Sequence, residues 1–150
     1  MSKNKGIPKN AAGNYQTTIP LTTIKAFGLD TSSNDKPYIS LKYIQTTFEC
    51  FSDWSQAELK DFSSLINKMY SSNWTDIWKS GGKGENKTGF GMTIHKNKKV
   101  LPNLSILDRI SPEIDFFELR VNQKSRVHGF RIHSAFFLMW LDKDHRIYPQ

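Results

Sequence analysis

The end of the chain constrains the fold more than any other segment, because two runs of strand-forming residues stand there almost without a break. The first run is SRVHGFRIH and the second is FFLMWLD, with only Ser134 and Ala135 between them. β-branched and aromatic residues favour strands, and two strands joined by so short a loop pair as an antiparallel hairpin. A chain with this ending builds a sheet, and the rest of the sequence must supply what covers it.

Two helices are predicted before that sheet. Ser55, with Glu58 three residues later, forms a capping box, and the apolar residues after it recur at helical spacing. These apolar residues are Leu59, Phe62, Leu65, Ile66 and Met69. A second, short helix is expected around Trp74 to Trp78, begun by Asn73 or Thr75.

Further strands are predicted from alternating apolar residues. The segment YISLKYIQTTFECF begins with such an alternation, FGMTIHK is a candidate strand, and DFFELRV places Phe117, Leu119 and Val121 on one face. Together these elements predict an α+β fold in which two helices pack on a twisted antiparallel sheet. Residues 37–150 are expected to form this domain, preceded by a basic N-terminal extension over residues 1–36.

The charge balance points to a polyanionic partner. The 150 residues contain 21 Lys and Arg against 14 Asp and Glu, a formal net charge of +7. The longest apolar run, Ala135 to Leu141, is far shorter than the roughly 20 residues of a membrane span. We therefore expect a cytoplasmic protein with no membrane partner, and we interpret the lone Cys50 as a small core residue.

Basic side chains are concentrated between residues 119 and 135, where no acidic residue occurs. A β-bulge at Gly129 would turn four basic or titratable side chains of one strand to the same outward face. They are Arg126, His128, Arg131 and His133. Arg120 on the preceding strand would join them, with Phe136, Phe137 or Tyr148 available to stack on bases. Such a face suits a phosphodiester backbone, although it also fits an ordinary solvated sheet surface.

Other chemical motifs are weak. DKDH offers Asp142, Asp144 and His145 as metal ligands, but no second acidic cluster complements them, so no metal is predicted. The glycine-rich KSGGKGENKTGFG lacks the spacing of a phosphate-binding loop, and no serine or cysteine nucleophile motif occurs.

The segments RVHGFRI and HRIY resemble the last hairpin and the C-terminal end of RelE-type toxins, the mRNA interferases of bacterial toxin–antitoxin systems. The resemblance implies metal-independent RNA cleavage without a cofactor, in which the ribose 2′-OH attacks the adjacent phosphate. It implies that Arg126 and Arg131 hold phosphate, while His145 and Tyr148 handle protons or stack the base. To this catalytic set we add His128 from its position on the strand.

RNA-binding roles are predicted for the remaining basic residues around the site, which are Arg120, Lys124, His133 and Arg146. The expected partners are RNA, free or on the ribosome, and a neutralising antitoxin. The protein would act as a toxin or as an antiphage effector.

Two alternatives remain at this point. Residues Asn14 to Leu29, with their TIP strand end and GL pair, resemble half of the AbrB- and MazE-type DNA-binding module. The chain would then be a non-catalytic nucleic-acid-binding protein that grips phosphates with its basic sheet face. The other alternative is a protein-interaction module of a mobile element, whose basic face meets an acidic partner.

Overall fold

A five-stranded mixed sheet with two α-helices makes up the part of the chain that the computed structural model describes, residues 36–81, 89–102, 107–110 and 112–148. The strands are β1 (Tyr38–Ser40), β2 (Thr93–Ile94), β3 (Phe116–Arg120), β4 (Arg126–Ile132) and β5 (Ala135–Asp142), and the helices are α1 (Gln56–Tyr70) and α2 (Trp74–Lys79). The AbrB-like segment and all but the last residue of the N-terminal extension lie outside the described residues.

The strand order is β1-β5-β4-β3-β2, and the predicted hairpin forms the pair β4–β5. Three neighbouring pairs are antiparallel, but β1 runs parallel to β5. The α+β class is therefore confirmed, whereas the expectation of a purely antiparallel sheet is wrong. The first strand is also short, because a turn follows Ser40, in which the N–H of Ile44 donates to the carbonyl of Leu41 at 3.1 Å.

Both helices begin where the sequence predicts. The Ser55 hydroxyl accepts from the N–H of Glu58 at 3.4 Å, and the Glu58 carboxylate accepts from the N–H of Ser55 at 2.7 Å. Asn73 caps α2 by accepting from the N–H of Asp76 at 2.8 Å. The apolar stripe of α1 faces the sheet, except that Ile66 is 42% exposed. Neither described helix is long and apolar enough to cross a membrane.

The two faces of the sheet are covered differently. On one face the helices bury Phe117, Leu119 and Val127 of the sheet in the larger core. The indole N–H of Trp74 fixes α2 there by donating to the carbonyl of Ser134 at 3.0 Å. The opposite face carries a smaller apolar cluster, which consists of Leu101, Phe116, Phe130, Met139, Trp140 and Ile147. Connecting segments that include two short 3-10 helices, Lys98–Val100 and Leu107–Arg109, cover this second face rather than the α-helices.

The pairing of β4 with β5 contains a β-bulge, and its extra residue belongs to β5. His128 pairs with Trp140 and Gly129 pairs with Leu138, which leaves Met139 without an opposing residue. The register of β4 against β3 is continuous, with Gly129 opposite Phe117. Successive side chains of β4 therefore alternate between the two faces of the sheet without interruption. The predicted change of face at Gly129 within β4 is wrong.

The predicted outward face of four basic side chains is also wrong, at Arg131 because of this alternation and at Arg126 and His128 because their face is covered. Arg126 and His128 lie on the face of Phe130 and are buried. Arg131 lies on the helical face, where its guanidinium sits 4.7 Å from the centre of the Trp74 ring. His133 is exposed in the turn after the strand and has a left-handed backbone, with φ of 52°.

Replacement of Gly129 by alanine tests this register. A Cβ at this position would lie 2.0 Å from the carbonyl oxygen of Phe137 and 3.0 Å from the Phe136 ring, so the pairing would have to separate. We expect Gly129→Ala to lower the free energy of unfolding by more than about 4 kcal/mol or to prevent folding. Gly89→Ala is the matched control, since its Cβ meets nothing closer than 3.6 Å and only its φ of 62° is unfavourable, at about 1–2 kcal/mol.

Urea titrations followed by circular dichroism measure both effects. Equal, small losses in the two variants would contradict the close approach of β4 and β5 at Gly129.

Candidate functional site

A cluster of buried ionisable side chains lies on the sheet face that the helices leave uncovered. Glu118 of β3 stands directly opposite His128 of β4, and Asp142 ends β5 beside them. All three are 0% exposed, and His95, the residue after β2, is 1% exposed. Burial of such groups is unfavourable unless they bond to one another. Strand pairing brings these four side chains close enough to do so.

One branch of the cluster is a hydrogen-bonded chain that begins at Asp142. Its Oδ2 lies 2.9 Å from Nε2 of His128, and Nδ1 of His128 lies 2.9 Å from Nε2 of His95. Asp142 also accepts the backbone N–H groups of Arg146 at 2.8 Å and Ile147 at 2.9 Å. Burial opposes ionisation of Asp142, but the hydrogen bonds from His128 and from these two N–H groups outweigh it and lower the pKa of this carboxyl. His128 Nε2 is therefore the donor to a carboxylate.

His95 is held neutral at the other end of this chain. Burial lowers its pKa from 6.5 to about 3, with the neighbouring imidazoles of His128 and His145 adding to the effect and Asp142 opposing it. Its ring lies 4.2 Å from that of Tyr148, centre to centre. Its Nδ1 is buried and has no hydrogen-bond partner within the described parts of the chain.

The second branch of the cluster centres on Glu118. Its Oε2 lies 3.2 Å from Nε2 of His145 and 3.8 Å from Nδ1 of His128. Its Oε1 lies 3.7 Å from Nε of Arg126, too far for a hydrogen bond, and both of these atoms lack a hydrogen-bond partner among the described residues. Arg126 instead donates through Nη1 to the carbonyls of Asn122 and Ser125, at 2.9 and 3.0 Å.

The cluster reaches solvent at His145. This residue stands in the turn after β5 with φ of 55°, a left-handed conformation that few non-glycine residues adopt, and its side chain is 22% exposed. Tyr148, three residues on, is half-buried against His95. An accessible imidazole bonded to a fully buried carboxylate is an arrangement suited to acid–base chemistry.

The predicted site residues are only partly brought together. The cluster contains Arg126, His128, His145 and Tyr148, but Arg131 belongs to the opposite face of the sheet. The predicted phosphate contacts of Arg126 and Arg131 do not fit this placement, because Arg126 is 8% exposed and Arg131 stacks on Trp74.

The four residues predicted to bind RNA are dispersed. Arg120 is half-buried beside Gly91, and His133 is exposed in the β4–β5 turn. Lys124 is exposed and lies 2.7 Å from Asp144, and Arg146 pairs with Glu49. The DKDH segment does not converge on one point either, because Asp142 points into the cluster while Asp144 is exposed.

Sequence reasoning missed Glu118 and His95 as members of the cluster, and it considered Asp142 only as a possible metal ligand. Glu118 and Asp142 could have been found, since each is a carboxylate within or at the end of a strand of large apolar residues, FFELR and AFFLMWLD. His95 gave no such signal, because it stands at a strand end between Ile94 and several lysines.

Comparison with protein-family models, with curated proteins and with solved structures gave no match. The function therefore has to be inferred from the geometry of the cluster.

The lowered pKa of His95 predicts a specific loss of stability in acid. The unfolded chain binds a proton at this residue below about pH 6.5, whereas the folded chain does so only near pH 3. This histidine's contribution is therefore intact above pH 6.5 and falls by about 2 kcal/mol by pH 5. Between pH 7.5 and 5, wild type should lose that much more stability than His95→Gln in urea titrations.

His133→Gln is the control for this measurement, because it removes an exposed histidine outside the cluster. Its stability should follow that of wild type with pH, and identical pH dependence of all three proteins would contradict a neutral, buried His95.

Proposed function

We propose that this protein is a metal-independent endoribonuclease of the RelE-like kind, acting as a toxin or an antiphage effector. The observation that supports the proposal most is the pairing of the accessible His145 with the buried Glu118. The net charge of +7 adds to it, since a basic protein attracts a polyanion such as RNA.

His145 has the geometry of a general base. When its Nε2 donates to the carboxylate of Glu118, the neutral ring keeps its lone pair on Nδ1. The carboxylate fixes the ring orientation and stabilises the imidazolium that forms when Nδ1 accepts a proton. Glu118 is therefore a positioning residue, while His145 is the catalytic one.

The proposed reaction needs two proton transfers. Nδ1 of His145 takes the proton of the ribose 2′-OH, and the 2′ oxygen attacks the adjacent phosphorus while the bond to the 5′ oxygen breaks. The leaving 5′ oxygen takes a proton from the hydroxyl of Tyr148, which stands three residues along the same terminal segment. The products are a 2′,3′-cyclic phosphate and a 5′-OH end.

Exposed cations near His145 are candidates to hold the phosphate. The side chains of Lys124 and Arg146 are 69% and 63% exposed, and each pairs with an acidic residue. The pair of Lys124 with the exposed Asp144 is a surface pair of little stability, so a phosphate can compete for this cation. Arg146 is paired with the buried Glu49, so it would contact a phosphate without leaving that carboxylate. These residues take over the role that the sequence assigned to Arg126 and Arg131.

Asparagine substitution at His145 tests the proposal directly. Asparagine tolerates a left-handed backbone, so His145→Asn removes the imidazole without a large backbone cost. We expect cleavage of a labelled RNA in excess EDTA to fall by about 10²–10⁴-fold. His133→Asn is the matched control, because His133 has the same backbone conformation, with φ of 52°, and is exposed outside the cluster.

The outcome distinguishes the proposal from its alternatives. Wild-type and His133→Asn proteins should leave 2′,3′-cyclic phosphate ends, with or without ribosomes. RNA binding without cleavage by wild type would favour a non-catalytic RNA-binding protein, and cleavage by His145→Asn at the wild-type rate would exclude His145 as the base.

Glu118→Gln separates positioning from binding. Glutamine keeps the size of the side chain and an acceptor oxygen but removes the charge that stabilises the imidazolium of His145. We expect kcat to fall by about 10-fold or more while KM changes little, because Glu118 is fully buried and cannot contact RNA. A rise in KM with kcat unchanged would contradict this role.

A further inference from the structure

We propose that His95, Glu118 and His128 form a binding site for a divalent transition-metal ion, with Zn²⁺ the best fit. Each residue offers one ligand atom, and these atoms all lie within 4.8 Å of one another. This inference does not rest on the proposed RNA cleavage, since only the geometry of the three side chains carries it, although both proposals use Glu118.

The distances suit tetrahedral coordination. Zinc bonds of about 2.0–2.2 Å place neighbouring ligand atoms of a tetrahedral site about 3.3–3.6 Å apart. Nε2 of His95 and Nδ1 of His128 are 2.9 Å apart, and Nδ1 of His128 is 3.8 Å from Oε2 of Glu118. These two separations lie on either side of the tetrahedral range, and the third pair, His95 and Glu118, also lies within 4.8 Å.

The surroundings of His128 are those of a metal ligand. Its Nε2 donates to Asp142 at 2.9 Å, which leaves Nδ1 to coordinate an ion. A carboxylate that holds the far nitrogen of a ligating histidine is the usual outer partner at zinc sites, where it fixes the tautomer and makes the ligand more basic.

An unpartnered atom in the cluster provides a second, independent observation. Oε1 of Glu118, the other oxygen of the ligating carboxylate, is buried without a hydrogen-bond partner among the described residues. Glu118 is 0% exposed, and Arg126, its nearest cation, does not donate to it. Two buried carboxylates, Glu118 and Asp142, face this one guanidinium, so a divalent cation would compensate charge that the protein leaves unbalanced.

The donor set selects the metal. Two imidazole nitrogens and one carboxylate oxygen suit zinc, whereas Mg²⁺ and Ca²⁺ require mostly oxygen ligands. Two histidines and a glutamate are also the ligand types of zinc sites that keep a fourth position open. His145 borders this donor set, since its Nε2 is 3.2 Å from Oε2 of Glu118 and its side chain is the exposed part of the cluster.

Zinc binding is measured on the full chain after removal of metal by a chelator, by competition with a chromophoric zinc chelator. Wild type should bind one equivalent of Zn²⁺. His95→Gln and Glu118→Gln should each weaken binding by more than about 100-fold, and Asp142→Asn by about 10–100-fold through its effect on His128.

His133→Asn is the matched control, because the chain has four histidines and His133 is the one outside the cluster. It should bind Zn²⁺ as wild type does. Absence of binding by wild type, or an equal loss in His133→Asn, would overturn the site.

A measurement on wild type alone guards against variants that fail to fold. Imidazole ¹⁵N resonances report directly on coordination, so one equivalent of Zn²⁺ should shift those of His95 and His128 and leave those of His133 unchanged. Shifts confined to His133 or to His145 would refute the assignment. Neither experiment contains RNA, so failure of this site and failure of the proposed cleavage are distinguishable.

Discussion

The carboxylate of Asp142 connects the sheet to the site. It accepts from His128 on the neighbouring strand and from the backbone N–H groups of Arg146 and Ile147, so one side chain fixes both an imidazole and the path of the terminal segment. That path brings His145 back over Glu118. The hairpin bulge is a precondition, because the extra residue in β5 places Trp140 opposite His128 and Asp142 on the cluster face.

Burial of the ionisable side chains in the cluster is unfavourable for folding, which indicates that they have a function. Their neighbours on the same face are large apolar side chains such as Phe116, Phe130 and Trp140. Replacing buried ionic groups by apolar residues of similar volume is often neutral or stabilising, so packing alone gives no reason to keep them. Buried ionisable groups with a single exposed member are typical of sites that move protons or hold ions. Arg131 does not indicate a function in the same way, because its guanidinium stacks on the Trp74 ring and this cation–π contact stabilises the charge.

The sequence could predict the elements but not the side of the sheet on which each polar residue lies. Capping residues such as Ser55 and Asn73 act within one turn, so their effect is visible locally. The faces of β4 depend on which strand carries the bulge, and that is decided by pairing with β5 rather than by the sequence of β4. An error of one residue in parity therefore put Arg131 on the wrong face, whereas His128 is on the predicted face and is buried because connecting segments cover it. The convergence of His95 with His128 is a contact across 33 residues, which no local pattern records.

Glu118 is the residue on which the two proposed activities meet, and they exclude one another there. Its Oε2 is within 3.2 Å of His145 and 3.8 Å of His128, so one oxygen serves either as the acceptor for the first imidazole or as a ligand beside the second. A zinc ion on Glu118 would draw the negative charge away from His145, and the imidazolium formed in RNA cleavage would lose its stabilising partner. If both proposals hold, the cluster would have two states, a proton-bridged one and a metal-bridged one. Zinc is expected to inhibit a nuclease that needs no metal, rather than to activate it.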